Sequence, residues 1–160
     1  DRLIFYHYYF KGKKLLEKPA EILLNNKHIH IDFFFCWANH SWTNKHWEAG
    51  TRQQKEMTLM QMVYNEEEYR YHFYDVLPAL KDKRYITVDG KPLFLIWSPL
   101  DIPNTQQFID LWQSLAQENG LAGIHFVGLQ QNILSHKVTL SPASGRKSAK
   151  SSVLIVNLLS

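Results

Sequence analysis

The 160-residue chain is poor in several things that would otherwise declare a function. Its single cysteine, Cys36, leaves no partner for an internal disulfide, so neither a cystine-stapled scaffold nor a Cys-based zinc finger is encoded. No apolar run approaches the roughly 18 residues of a membrane span. The opening Asp1-Arg2-Leu3 lacks the basic, apolar and small-residue regions of a signal peptide, and the expected location is cytoplasmic. It also lacks a starting methionine and runs straight into the apolar Leu3 to Phe10, which points to coding sequence missing upstream. There is no Gly-x-Gly-x-x-Gly turn after a strand, no P-loop and no Asp-x-Asp pair, which argues against dinucleotide, nucleoside triphosphate and metal-diphosphate chemistry. Acidic residues are absent after Glu118. The first 118 positions hold 15 acidic and 14 basic side chains, so the net charge of +3 belongs to the tail. Such scattered basicity does not make a nucleic-acid surface.

What the chain has is aromatic and apolar material: 45% hydrophobic residues and 14% aromatics, enough to bury a core and to exclude disorder for most of it. Leu3 to Tyr9 and Ile31 to Trp37 read as strands, the second nearly continuous in apolar residues, as a parallel strand covered on both faces would be. Pro19 suits the first turn of a short helix. Asn65 caps a second helix running to about Leu80, with Glu66, Glu67 and Glu68 at its positive end. Asp89-Gly90 marks a tight turn before a third strand, Leu93 to Trp97. A third helix spans about Thr105 to Asn119 and stops at Gly120, and Ile124 to Leu129 is the fourth strand. Alternating strands and helices predict an α/β fold of right-handed βαβ units. Without a dinucleotide fingerprint the favoured form is a partial (β/α)₈ TIM barrel of about four βα units over residues 1–131. Residues 132–160 form an atypical Ser-rich basic tail, which has room for one last strand in Val153 to Val156.

In such barrels the chemistry sits at the carboxyl ends of the strands. Those positions hold Tyr6, His7, Tyr8 and Tyr9 after the first strand, Trp37, Asn39, His40 and Trp42 after the second, Trp97 and Ser98 after the third and Gln130 and Gln131 after the fourth; of these, Tyr6, His7, Tyr8, Trp37, Asn39, His40, Trp42, Trp97 and Gln130 are the candidate site. Flat rings interleaved with neutral hydrogen-bonding groups suit a sugar, which offers apolar C–H faces and a rim of hydroxyls. Each member also has a plain structural reading: Tyr6 and Tyr8 alternate with His7, so one side of that strand faces a core. Asn39 has no apolar reason for its position and precedes a long irregular stretch, which favours a role in the site. His28-x-His30 lacks further ligands, so no metal and no cofactor are expected. Glycoside hydrolysis usually needs two carboxylates across the bond, and only Glu48, in the long loop, lies near these positions.

Tyr6-His7-Tyr8-Tyr9-Phe10, Lys14 to Pro19, Cys36-Trp37-Ala38-Asn39 with Trp42-Thr43, Arg84-Tyr85-Ile86, Val88 to Pro92, and Gly128 before Gln130 together resemble the WbsX family. These are bacterial proteins of polysaccharide and O-antigen clusters, similar to glycoside hydrolase family 99 of the endo-α-mannosidase type. The resemblance runs from Leu3 to about Gln131 and implies a (β/α)₈ barrel and an oligosaccharide or polysaccharide partner. Two positions depart from it: His40 stands where the family usually has an acid, and the Glu-Trp-x-Glu pair of the family's C-terminal half is not in this sequence. The expected function is action on glycosidic bonds of a bacterial surface polysaccharide, by a glycosyltransferase or an endo-α-mannosidase-like hydrolase. The missing Asp-x-Asp leans toward the hydrolase-like form. The alternatives are a non-catalytic carbohydrate-binding remnant and an inert, truncated gene fragment. Open sheet edges on half a barrel would favour self-association.

Overall fold

A computed structural model describes residues 2–43, 58–130 and 154–157. Its parallel strands are β1 (Arg2–Phe10), β3 (Asp32–Trp37), β7 (Lys91–Ile96) and β8 (His125–Gln130). They lie side by side in chain order, β1-β3-β7-β8. Between them run α1 (Lys18–Asn25), α2 (Glu66–Leu80) and α3 (Thr105–Glu118). Short pieces complete the sheet: β2 (Lys13–Leu15) folds back antiparallel on the end of β1, β6 (Thr87–Val88) pairs with β7, and β9 (Leu154–Asn157) runs antiparallel along β8. A separate ribbon joins β4 (Trp42–Thr43) to β5 (Thr58–Met60).

The expected βαβ alternation is present, but the sheet is open and mixed rather than a closed barrel. Closure needs a full circuit of tilted strands, and four parallel strands do not supply one. The last strand of the tail is also not the next parallel member of the series: β9 pairs antiparallel, Val127 opposite Asn157 and Gln130 opposite Leu154, and occupies the outer edge of β8. The edge exposure expected there is therefore covered. On the other side β2 reaches only Tyr8, Tyr9 and Phe10, so Arg2 to His7 have no strand on their outer side among the described residues.

Strand alternation sorts the side chains into two layers. Phe33, Phe35 and Trp37 of β3, Phe94 and Ile96 of β7 and Phe126 of β8 face the helices and are buried with Phe73 and Val76 of α2 and Phe108 and Trp112 of α3. Rings in this layer meet closely, Phe94 and Trp112 at 4.7 Å and Phe108 and Trp112 at 4.9 Å. The indole N–H of Trp112 donates to Tyr69 O at 3.0 Å, so this buried ring is also satisfied. At the amino end of the sheet, Arg84 donates to Asp82 and to the carbonyls of Asn26 and Ile29, joining the α1–β3 and α2–β6 connections. The opposite layer, with Ile4, Tyr6, Phe34, Leu93 and Leu95, carries no helix among the described residues, and these side chains are exposed or half-buried.

Candidate functional site

Register decides which strand-end residues can act together. His7 is opposite Trp37, Trp37 opposite Ile96 and Ile96 opposite Gly128, so the four carboxyl ends lie at one end of the fold. They do not lie on one face. Tyr6 and Tyr8 point to the open layer, whereas His7 and Trp37 point into the helix layer.

On the open layer the rings converge. Tyr6 meets Trp97 edge to face at 5.6 Å, and Tyr8 meets Trp42 at 5.1 Å and His40 at 6.3 Å. Phe10 closes the group against Trp42 at 6.0 Å. Tyr6 remains 49% exposed, and Tyr8, His40, Trp42 and Trp97 are half-buried. The tyrosines reach this face because β1 alternates from Ile4 through Phe10, and the two tryptophans because the β3 and β7 chains leave the sheet beside it. Burial raises the hydroxyl pKa of Tyr8, with lesser contributions from Tyr6 and Cys36. The buried Cys36 thiol beneath is pushed up to about 12, so it is not a thiolate nucleophile.

His7 and Trp37 depart from the expected common rim. His7 is 8% exposed and lies in a stack of three rings: His7 to His72 at 5.0 Å, and Tyr9 to His72 at 4.5 Å and 9°. Burial, and then the charge of Lys14, bring its pKa down to about 3. His72 is lowered well below its usual range by burial and by His7. Trp37 packs on Phe108 and His72, at 5.4 and 4.8 Å, and is 2% exposed. Alternation fixes that His7 and the tyrosines lie on opposite faces but not which face is covered; the aromatic side of α2, with His72 and Phe73, settles it.

Asn39 is wholly buried and fully engaged. Its amide nitrogen donates to Ser98 O at 2.7 Å and to Tyr64 Oη at 3.3 Å, and its amide oxygen accepts from Ser98 N at 2.8 Å. Tyr64 Oη in turn donates to Asn39 O at 2.6 Å, and burial pushes that phenol up to about 12. This side chain copies a ladder rung between the β3 and β7 ends. Tyr64 is the member that sequence reasoning left out of the site, its only signal being a tyrosine just before a capped helix, whereas Ser98 stands among the strand-end positions read from the sequence. Gln130 ends β8, but its side chain, like Glu48 and His46, lies outside the described residues.

A family model described as Glycosyltransferase WbsX matches residues 1–154. The chain is also similar to the uncharacterized protein WxcX of Xanthomonas campestris pv. campestris, in strain B100 and in strain ATCC 33913. Each is 27% identical over 126 residues, which is 79% of this chain and 17% of the relative. The chain thus spans about a sixth of the length of the curated relatives it matches. No solved structure matches it.

Proposed function

The chain belongs to the WbsX glycosyltransferase family, and from that premise we propose that it supplies a carbohydrate-binding face to a protein acting on glycosidic bonds of a bacterial surface polysaccharide. The observation that carries the reading is the ring cluster on the open layer, Tyr6 against Trp97 and Tyr8 against Trp42. Exposed rings at a strand-end rim give a sugar its stacking surface, and His40 adds a hydrogen-bonding edge. Asn39, Tyr64 and Ser98 position these rings, and His7 and Trp37 support them from the helix side. We further read the four parallel strands as one half of a (β/α)₈ barrel. The chain-order arrangement of the strands supports this, since a doubly wound sheet reverses its order at a switch point. The rings offer stacking and hydrogen bonding but no carboxylate, so this segment contributes binding, and bond making or breaking belongs to residues beyond the cluster.

Calorimetric titration of the chain with a neutral mannotriose tests the reading. Tyr6→Ala and Trp97→Ala are each expected to weaken binding roughly tenfold, the order of a lost ring contact. Binding that neither substitution changes would refute it. For the whole family member, turnover of an α-mannan against turnover of sugar nucleotides separates the hydrolase-like from the transferase form.

A further inference from the structure

Along the outer side of β1 one stretch of backbone has no strand beside it. His7 O accepts from Ala38 N at 3.0 Å, so the main chain of His7 points toward β3. A strand alternates, so the N–H and C=O groups of Leu3 and Phe5 point the same way, and those of Arg2, Ile4 and Tyr6 point outward. The hairpin agrees. Lys11 and Gly12, at φ 45° and 76°, form a two-residue turn whose closing pair, Phe10 and Lys13, exchanges hydrogen bonds, and two residues back Tyr8 meets Leu15 in the same way. Because β2 ends there, the outward groups of Arg2, Ile4 and Tyr6 have no strand partner among the described residues.

Edges of natural sheets are guarded against pairing by brevity, lysine, proline or a bulge. The other outer strands among the described residues follow that rule. β2 has three residues, two of them Lys13 and Lys14, β9 has four, and β4 and β5 have two and three. From Arg2 to His7, β1 contains no proline, glycine or lysine, and its one charged residue, Arg2, stands at the end. This edge is also apolar, with Leu3 41% and Ile4 54% exposed.

We propose that this edge pairs with the same edge of a second copy of the chain, antiparallel about a two-fold axis at Ile4. The pattern is self-complementary in that register. Ile4 meets Ile4, Arg2 meets Tyr6 on both sides of the axis, and each pair exchanges both of its N–H···O bonds, so the outward groups that β2 leaves are all satisfied. Opposed residues share a face, so both open layers lie on one side of the joined sheet and the helices on the other. Cβ atoms of opposed residues come within about 5 Å, which brings the Arg2 guanidinium of one copy against the Tyr6 ring of the other, a ring backed by Trp97 at 5.6 Å. An axis at Phe5 would instead put Arg2 opposite Tyr8, whose outward groups β2 already holds. About five residues per copy is far fewer than the roughly 20–30 of a standard interface, so the pair dissociates on dilution. The pairing rests on backbone geometry and is independent of the carbohydrate reading.

Sedimentation velocity of the full chain across a wide concentration range, with amide exchange read by NMR at its two ends, tests the pairing. Concentrating the chain is expected to convert monomer to dimer and to protect the amides of Ile4 and Tyr6 in step. The amides of Phe5 and His7, which face β3, are expected to be protected throughout. Ile4→Lys sets two like charges against each other on the axis and is expected to weaken association roughly tenfold or more. Ile22→Lys, the same change on α1, is expected to leave it unaltered. Both isoleucines are more than half exposed, so neither change threatens the fold. A monomer at every concentration would overturn the pairing. So would a dimer that Ile4→Lys weakens no more than Ile22→Lys, or one in which the Ile4 and Tyr6 amides exchange freely. Protection of those amides already in the dilute monomer would overturn it too, by giving the edge to another strand of the same chain.

Discussion

The stack of His7, His72 and Tyr9 makes the chain acid-labile in a definite pH window. An imidazole free in the unfolded chain titrates near 6.5, whereas His7 in the fold is held at about 3. Below 6.5 the unfolded state therefore binds a proton that the folded state refuses, and stability falls with falling pH until the folded value is reached. Between pH 7 and pH 5 the loss from His7 alone comes to about 2 kcal/mol, from 1.36 kcal/mol per unit weighted by the fraction titrated. His72, lowered for the same reason, adds a loss of the same sign in the same interval. For a chain of ordinary stability, on the order of 5–15 kcal/mol, such a loss is a large share. Asp82 does not confuse the reading. Its carboxyl is held well below the usual range by hydrogen bonds from Arg84, against burial, with Lys27 adding to the lowering, so its contribution is present above about 4 and is lost only below that. Urea unfolding at pH 7, 6 and 5, followed by tryptophan fluorescence, measures the slope. His72→Phe, which keeps a flat ring against Tyr9 and His7, is expected to flatten it. A stability unchanged between pH 7 and 5, or a slope the same in His72→Phe, would refute the burial argument.

Three further outcomes follow from contacts already described. Asn39→Ala leaves Ser98 N–H and Ser98 O without their partner, while the Tyr64 hydroxyl keeps its bond to the backbone carbonyl of residue 39, and is expected to lower stability by roughly 2–3 kcal/mol in urea unfolding. Arg84→Ala leaves the nearly buried Asp82 carboxylate with Lys27 as its remaining cation and frees two carbonyls, and a loss of roughly 2–3 kcal/mol is expected in the same measurement. Gly123→Ala combines a φ of 125° with a Cβ 2.7 Å from Gln113 Oε1, an atom fixed by Ile124 N at 2.8 Å, so a melting temperature several degrees lower is expected.

Elements with more than one local signal were legible in the sequence. For α2, the Asn65 cap is real, its side chain accepting from Glu68 N at 2.8 Å, and the helix ends at Leu80 as the apolar spacing indicates. For α3, Gly120 follows the end at φ 80°. Three-residue β2 was not legible as a strand, because Lys13-Lys14-Leu15 is too short to show a period. The antiparallel direction of β9 is likewise set by pairing partners and not by local propensity. Within the site, residue types at the strand ends were readable, but the sorting of Tyr6 and Tyr8 from His7 and Trp37 depended on which layer the helices cover. That is a property of the packed chain, supplied by side chains such as His72 and Phe108 far along the sequence.

The Asn39 amide has a mechanical consequence. Because it is bonded to both the amide and the carbonyl of Ser98 and to the Tyr64 hydroxyl, which itself donates to the Asn39 backbone carbonyl, the segments at Trp42, at Trp97 and at the start of α2 are bolted at one point. Displacing any one of these three attachment points therefore strains hydrogen bonds held by the other two.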